Sequence, residues 1–373
     1  MKTIAMISNS AFSLENFRGP LIRDLVAAGA KVYALAPDFD DELRQQVMDL
    51  GAQPVDFSLS RTGMNPLRDG LDTLRLAALL RRLRPDVTLG YCIKPVIYGT
   101  LAARLAGVPR RVAMIEGLGY VFTPSSDQPS RRRELLRAMV ARLYKFALAR
   151  AHKVIFLNPD DIKEFTGAGL VAASKAVNLG GIGVDLQEWP LTPPATRPVT
   201  FLLAARLLRE KGIVEYAEAA RRVKARYPDV RFILLGGLDT NPGGVHADEV
   251  QAWAKEGLLE WPGHVPVKPW LVQASVYVLP SYREGVPRST QEAMAMGRPI
   301  ITTDAPGCRE TVVEGVNGFL VPPRDVGALV EAMERFIEEP GLIEPMGRES
   351  RRLAEERFDV RKVNARLIEY MLG

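Results

Sequence analysis

The chain has 373 residues, 47% apolar and 25% charged, with a formal net charge of +5. That length accommodates two ordinary domains, and the composition is that of a soluble globular protein, which excludes collagen-like, low-complexity and disordered classes. With 2 cysteines and 3 histidines the chain offers no disulfide framework or structural zinc site and fits a reducing cytoplasm.

The apolar start at Met1 stops at Ser8, so it reads as a first strand and not as a signal peptide. Apolar runs at Ile4–Ile7, Val32–Ala36, Val87–Tyr91, Val112–Ile115 and Val154–Leu157 predict buried strands. Helical patterns lie between them, among them Gly19–Ala28 and Leu67–Leu83. This alternation predicts a parallel, doubly wound sheet. Arg131–Lys145 predicts a helix whose apolar stripe (Leu135, Leu136, Met139, Val140, Leu143) is flanked by arginines. Docking on the sheet with a solvated basic face is the commoner arrangement for such a helix, and lying on an anionic bilayer is the other. Thr123–Ser130, just before it, reads as a mobile loop.

The Pro-rich stretch Trp189–Pro198 predicts an interdomain linker. The alternation then restarts with strands at Thr200–Ala204, Arg231–Leu235, Val276–Leu279, Ile300–Thr302 and Phe319–Val321, and a last helix at Val360–Met371. No apolar run approaches the roughly 18 residues of a membrane span. The domains expected are 1–187, 188–356 and a C-terminal helix, 357–373.

The residues that can carry chemistry cluster at predicted strand ends, where open α/β sheets bind ligands. Arg206 and Lys211 follow the strand Thr200–Ala204 and place two cations near free backbone N–H groups, an arrangement suited to a diphosphate. A solvated basic turn explains the same two residues. Their company with a second feature favours the anion site: Glu284, on the loop after Val276–Leu279, and Glu292, in the helix that follows. Two acids at different depths suit a ligand with two hydroxyl-bearing parts, such as a nucleotide sugar. The small and apolar neighbours Ala293–Met296 predict a buried helix, and a buried carboxylate needs partners. Gly285 permits close backbone approach, while Ser289 and Thr290 are placed to cap the helix or to donate to phosphate. Asp38 and Asp40 form an Asp-x-Asp, but their position before a helical stretch predicts N-capping, and no metal is expected.

The Glu284-x7-Glu292 segment resembles the signature of the family-four retaining glycosyltransferases, whose GT-B fold sets two Rossmann-like doubly wound domains facing across a cleft. The resemblance implies that Arg206 and Lys211 hold the donor diphosphate and stabilise the departing phosphate, that Glu284 meets the transferred sugar and that Glu292 meets the nucleotide ribose. It further implies that the last helix crosses back to the first domain, which binds the acceptor. Asn16–Pro20 stands where the family has a glycine-rich turn near the donor phosphates, a partial match carried by Arg18 and Gly19. Glu116 stands near the place of a family histidine, for acceptor binding or proton acceptance. Lys94 either meets an acceptor phosphate or is a plain surface lysine. Gly307–Glu310 occupies the place of a glycine-rich loop, and Glu310 can equally cap a helix.

Three stretches (Glu116–Gly119, Leu234–Pro242 and Leu279–Gly285) are similar to those of bacterial enzymes that add N-acetylhexosamines to undecaprenyl-diphosphate-linked sugars. The expectation is therefore a UDP-sugar donor, N-acetylgalactosamine first, and a polyprenyl-diphosphate-linked acceptor. It includes peripheral attachment to an anionic membrane at the inner face of the plasma membrane, and no cofactor beyond the donor. A soluble acceptor is the alternative within the fold. An NAD-dependent oxidoreductase would need a Gly-x-Gly-x-x-Gly turn where Ser8–Ala11 stands. A nucleic-acid-binding protein would need basic, aromatic-studded strands or a recognition helix.

Overall fold

The computed structural model describes residues 1–59, 65–118, 131–239, 241 and 243–373, and of 131–133 the backbone alone. Two compact units divide the described chain: one from Met1 to Ile182 with Arg361–Gly373 added, the other Gly183–Val360.

The first unit carries strands β1 (Thr3–Ile7), β2 (Lys31–Ala36), β3 (Gln53–Asp56), β4 (Val87–Tyr91), β5 (Arg110–Ile115), β6 (Lys153–Phe156) and β7 (Ala176–Asn178). Its helices are α1 (Ala11–Ala27), α2 (Asp41–Asp49), α3 (Pro66–Leu83), α4 (Thr100–Leu105), α5 (Arg131–Leu148) and α6 (Pro159–Gly167). The strands form one parallel sheet in the order β3-β2-β1-β4-β5-β6-β7. Its central strands are apolar runs because helices cover both faces of a parallel sheet. Tyr144 of α5 packs edge-on against Phe165, which in turn meets Phe156 of β6, so α5 is docked on the sheet through Val140, Tyr144 and Ala147.

The second unit holds strands β8 (Thr200–Ala204), β9 (Arg231–Leu235), β10 (Glu260–Gly263), β11 (Val276–Leu279), β12 (Ile300–Thr303) and β13 (Gly318–Val321). Its helices are α7 (Ile213–Arg226), α8 (Ala247–Lys255), α9 (Lys268–Gln273), α10 (Arg288–Ala295), α11 (Val326–Glu338) and α12 (Ile343–Arg357). The sheet is again parallel, ordered β10-β9-β8-β11-β12-β13. The last helix, α13 (Val360–Leu372), packs on the first unit, where Asn364 donates to Asp24 at 2.6 Å and Arg110 donates to the Tyr370 carbonyl at 3.0 Å.

In both sheets the strand order reverses once, between β1 and β4 and between β8 and β11. Connections leave such neighbours toward opposite faces and open a crevice at the C-terminal edge.

Three strands, β3, β7 and β10, are not among those predicted from the pattern. They are short outer strands, and Pro54 and Pro262 stand inside two of them, which only an edge strand tolerates. The first helix also differs. Asn16–Pro20 is not a turn between strand and helix but the middle of α1, which begins at Ala11. Gly19-Pro20 looks like a helix start because proline is favoured at a first helical position, yet here Pro20 sits inside the helix and Gly19 faces Leu50 at the end of α2. Asp38 accepts from the Ala11 amide at 2.6 Å and Asp40 from the Leu43 amide at 2.7 Å, so the Asp-x-Asp caps two helices.

The Trp189–Pro198 stretch lies within the second unit and is held there by two arginines, one of them fully buried. Arg298, fully buried, donates to the carbonyls of Leu271 (2.8 Å), Thr192 (2.7 Å) and Met296 (3.0 Å). Burial without a carboxylate partner pulls its pKa down to about 10. Arg351 adds bonds to the Trp189 and Ala295 carbonyls. Replacing Arg298 with methionine strands several buried carbonyls, each costing about 1–3 kcal/mol. The urea midpoint of R298M is expected to fall well below wild type; an unchanged midpoint would show that the guanidinium is not what holds the stretch.

Candidate active site

The loops that leave β8 and β11 meet at the reversal of the second sheet. After β8 the chain passes Arg206 and makes a 3-10 turn, Arg209–Lys211, closed by Gly212 with φ of +72°. A side chain at Gly212 is impossible, since its Cβ would sit 2.2 Å from the Pro280 carbonyl oxygen. That close approach lets the Tyr282 amide and the Ser281 hydroxyl both donate to the Glu210 carbonyl, at 2.9 and 3.0 Å. Lys211 Nζ then reaches Glu284 Oε1 at 2.5 Å, with both side chains mostly buried.

From the other side the Glu284 loop is braced by the connection after β12. The Glu284 amide donates to the Pro306 carbonyl at 3.0 Å, and Thr303 donates to the Ser281 carbonyl. Gly307 has φ of +75°, and a Cβ there would lie 2.2 Å from the Glu284 carbonyl oxygen and 2.3 Å from that of Gly285. Glycine is therefore required in the Gly307–Glu310 loop because it packs backbone to backbone on the loop that carries Glu284 and the buried Gly285. Glu310 lies in a short 3-10 turn, Arg309–Thr311.

Glu292 stands in the second turn of α10, its carboxylate 2.9 Å from Arg288 Nε one turn earlier. Burial raises the Glu292 pKa, and the Arg288 charge and hydrogen bond oppose that rise. Ala293–Met296 are fully buried. Neither Ser289 nor Thr290 caps α10, since the cap position is Pro287 and both hydroxyls lie inside the first turn. Ser289 Oγ is hydrogen-bonded to the Tyr277 hydroxyl at 2.7 Å, while the buried Thr290 Oγ1 has no hydrogen-bond partner among the described residues. Arg206 is largely exposed and is tied to Asp239 at 2.9 Å. The structure thus joins Lys211 directly to Glu284, and places Arg206 and Glu292 in separate ion pairs on loops and a helix of the same sheet edge.

In the first unit Arg18, of α1, is 2% exposed and forms an ion pair with Glu116, at the end of β5, while its guanidinium lies 4.9 Å from the Tyr91 ring centroid. Two residues assigned to different ligands by sequence are therefore each other's partners. Arg18 and Gly19 do not form a phosphate-binding turn, because both lie inside a helix. Lys94 is not a surface lysine: it is buried and bonded to Asp69 of α3 at 2.8 Å. Burial and the Asp69 charge push the nearby Tyr98 phenol up to about 12. Gly119 and Tyr120, the Thr123–Ser130 loop, and Thr240 and Pro242 lie outside the described residues.

Sequence reasoning missed the partners of these residues more than the residues themselves. Arg288, one turn before Glu292, was legible as an i, i+4 pair. Asp239 stands inside the Leu234–Pro242 stretch, whereas the Asp69–Lys94 contact has no local signal.

Residues 198–339 match the family described as "Glycosyl transferases group 1", and residues 21–158 match "Glycosyl transferase 4-like". Over 353 residues the chain is 28% identical to N,N'-diacetylbacillosaminyl-diphospho-undecaprenol alpha-1,3-N-acetylgalactosaminyltransferase of Campylobacter jejuni, covering 91% of this chain and 90% of that one. It is 26% identical to the UDP-Gal:alpha-D-GlcNAc-diphosphoundecaprenol alpha-1,3-galactosyltransferase of Escherichia coli, covering 73% of this chain and 72% of that one. Among solved structures, Anabaena HepE in complex with UDP superposes with a TM-score of 0.77 at 18% identity, covering 99% of each chain, a likeness of fold.

The raised pKa of Glu292 has a consequence for stability. A carboxyl that binds its proton more tightly when folded makes the fold more stable in acid, and that increment is lost as pH rises from the ordinary value of 4.5 through the raised one. E292Q lacks this titration. Across that window the urea midpoint of wild type is expected to decline relative to the variant, and parallel pH profiles would contradict the burial of this carboxylate.

Proposed function

Since this chain is a glycosyltransferase of GT-B fold, joining a 4-like and a group 1 domain, we propose that it transfers N-acetylgalactosamine or a related hexose from a UDP-sugar to a sugar carried on undecaprenyl diphosphate. The observation that carries the assignment is the Lys211–Glu284 pair at the strand-order reversal of the second sheet. The names of the Campylobacter and Escherichia relatives supply the acceptor class, and the latter supplies the UDP donor. Both describe α-1,3 products, and an α product from an α-linked UDP-sugar is transfer with retention.

The chemistry then follows from charge. The bond from the sugar's anomeric carbon to the β-phosphate oxygen breaks, and negative charge grows on that oxygen. Lys211 and Arg206 supply the positive charge in this reading, and a well-placed donor in a water-poor site lowers such a barrier by about 3–4 kcal/mol. The acceptor hydroxyl forms the new bond from the face the leaving group departs, and its proton passes to the departing phosphate oxygen. Glu284 and Glu292, acceptor-only when ionised, take hydrogen bonds from the hydroxyls of the sugar and the ribose. Gly285, Ser289 and Thr290 border the donor. Glu116 orients the acceptor, and Arg18 fixes Glu116 in place. No metal or further cofactor is required in this scheme.

With a lipid-borne acceptor the enzyme works at the inner membrane face as a peripheral protein. Among the described residues no helix is long and apolar enough to cross a membrane.

A screen of radiolabelled UDP-sugars against short polyprenyl-diphosphate acceptors tests the proposal. Wild type is expected to transfer one hexosamine or hexose, with K211A and E284A each lowering kcat by about 10²–10³. Transfer indifferent to both substitutions would defeat the assignment.

A further inference from the structure

The outward face of α3 presents Leu67, Leu71 and Leu74, which are 83, 56 and 60% exposed. Their i, i+4, i+7 spacing puts them in one row, while Leu76, Ala77 and Leu80 on the other side of the helix enter the core. Scattered exposed leucines are ordinary, but this row is not isolated. Leu74 borders a groove of about 480 Å³ that runs between α3, the helical turns before and within α4, and α5. Tyr98, Leu101, Leu105, Met139 and Leu143 line its far side, while the α3 side adds Thr73 and Asp69, the latter bonded to Lys94. Leu135, 70% exposed, continues the apolar surface one turn before Met139 along α5.

Charge around this surface is predominantly positive. The acidic residues of α3 are turned inward, Asp69 being 1% and Asp72 2% exposed. Asp69 is bonded to Lys94, and Asp72 lies beneath Arg68 and Arg75 at 4.0 and 3.5 Å. Both of those arginine side chains are well exposed, as are Arg82, Arg104, Arg142 and Lys145 on α3, α4 and α5. Glu134 is the exposed acid among the described side chains of these helices. Hydrocarbon flanked by cations is the pattern that enters the interface of an anionic bilayer.

We propose that the α3 leucine row, the groove beside it and the exposed row of α5 form the surface by which this protein docks on an anionic phospholipid bilayer, with acyl chains meeting the leucines and lipid phosphates meeting the arginines. The inference rests on the membrane-side reading of the function and assigns its contact surface to α3 as much as to α5.

Flotation with vesicles of phosphatidylcholine, alone or mixed with phosphatidylglycerol, tests it. Wild type is expected to partition onto the mixed vesicles and to be released by high salt. L67Q/L71Q/L74Q keeps helix propensity, removes the apolar row and is expected to lower partitioning at least about tenfold. V272Q, at a similarly exposed apolar site of the second unit, is expected to partition like wild type. R75Q/R82Q/R142Q is expected to weaken binding to mixed vesicles by about tenfold or more, and it gives the answer even if the leucine variant folds poorly. Unchanged partitioning of either triple variant once its fold is verified by circular dichroism, or an equal loss in V272Q, overturns the proposal. So does a dimer that the leucine variant dissociates while vesicle binding persists, which would assign the row to a second copy of the chain. Transfer to a short-chain acceptor without vesicles, assayed in parallel, tests the catalytic reading separately.

Discussion

The contact between Lys211 and Glu284 is the constraint around which the C-terminal edge of the second unit's sheet is built. It joins the first connection leaving β8 to the first connection leaving β11, the two strands between which the order reverses. A long lysine chain and a carboxylate, both mostly out of water, would be costly apart, because a buried charge without a partner is strongly unfavourable. Together they hold two loops in register. The backbone is shaped for the same end: Gly212 and Gly307 each stand where a Cβ would collide with a carbonyl of a neighbouring loop. Three connections are thereby compressed against one another, and the acidic loop has little freedom to move independently of the lysine turn.

The first unit solves the same problem with different residues. There a buried arginine from inside α1 reaches the carboxylate at the end of β5, with the ring of Tyr91 from β4 beside it. Placing the cation in the helix interior keeps the guanidinium shielded by regular structure. Since Arg18 already engages Glu116, any group that approached this carboxylate would meet it already ion-paired.

Much of this was legible in the chain because parallel strands covered on both faces are continuous apolar runs, and every central strand announced itself in that way. Glu284 and Glu292 were legible together because one strand, one loop and one helix carry both. What escaped was of two kinds. Edge strands such as Gln53–Asp56 bury little and tolerate proline, so their composition resembles that of loops. Long-range partners leave no local trace: Arg18 and Glu116 are 98 residues apart, and nothing around Gly19-Pro20 reveals that a helix is already under way. The buried Lys94–Asp69 bond escaped for the same reason, and with it the inward orientation of the α3 acids.

That orientation bears on how the net charge of +5 should be understood. A modest excess spread evenly would mean little, since most cations of the second unit are matched by carboxylates in pairs such as Arg209 with Glu249 and Arg231 with Glu260. On α3 the balance is different because Asp69 and Asp72 are withdrawn beneath the surface, which leaves guanidinium groups and leucines facing outward. Along α3 four arginines stand against two aspartates, and with both acids buried the surface it presents is more cationic than that count and apolar besides. Burial, more than composition, decides what a partner meets, and an anionic layer with a hydrocarbon interior is the partner whose two chemistries match both halves of that face.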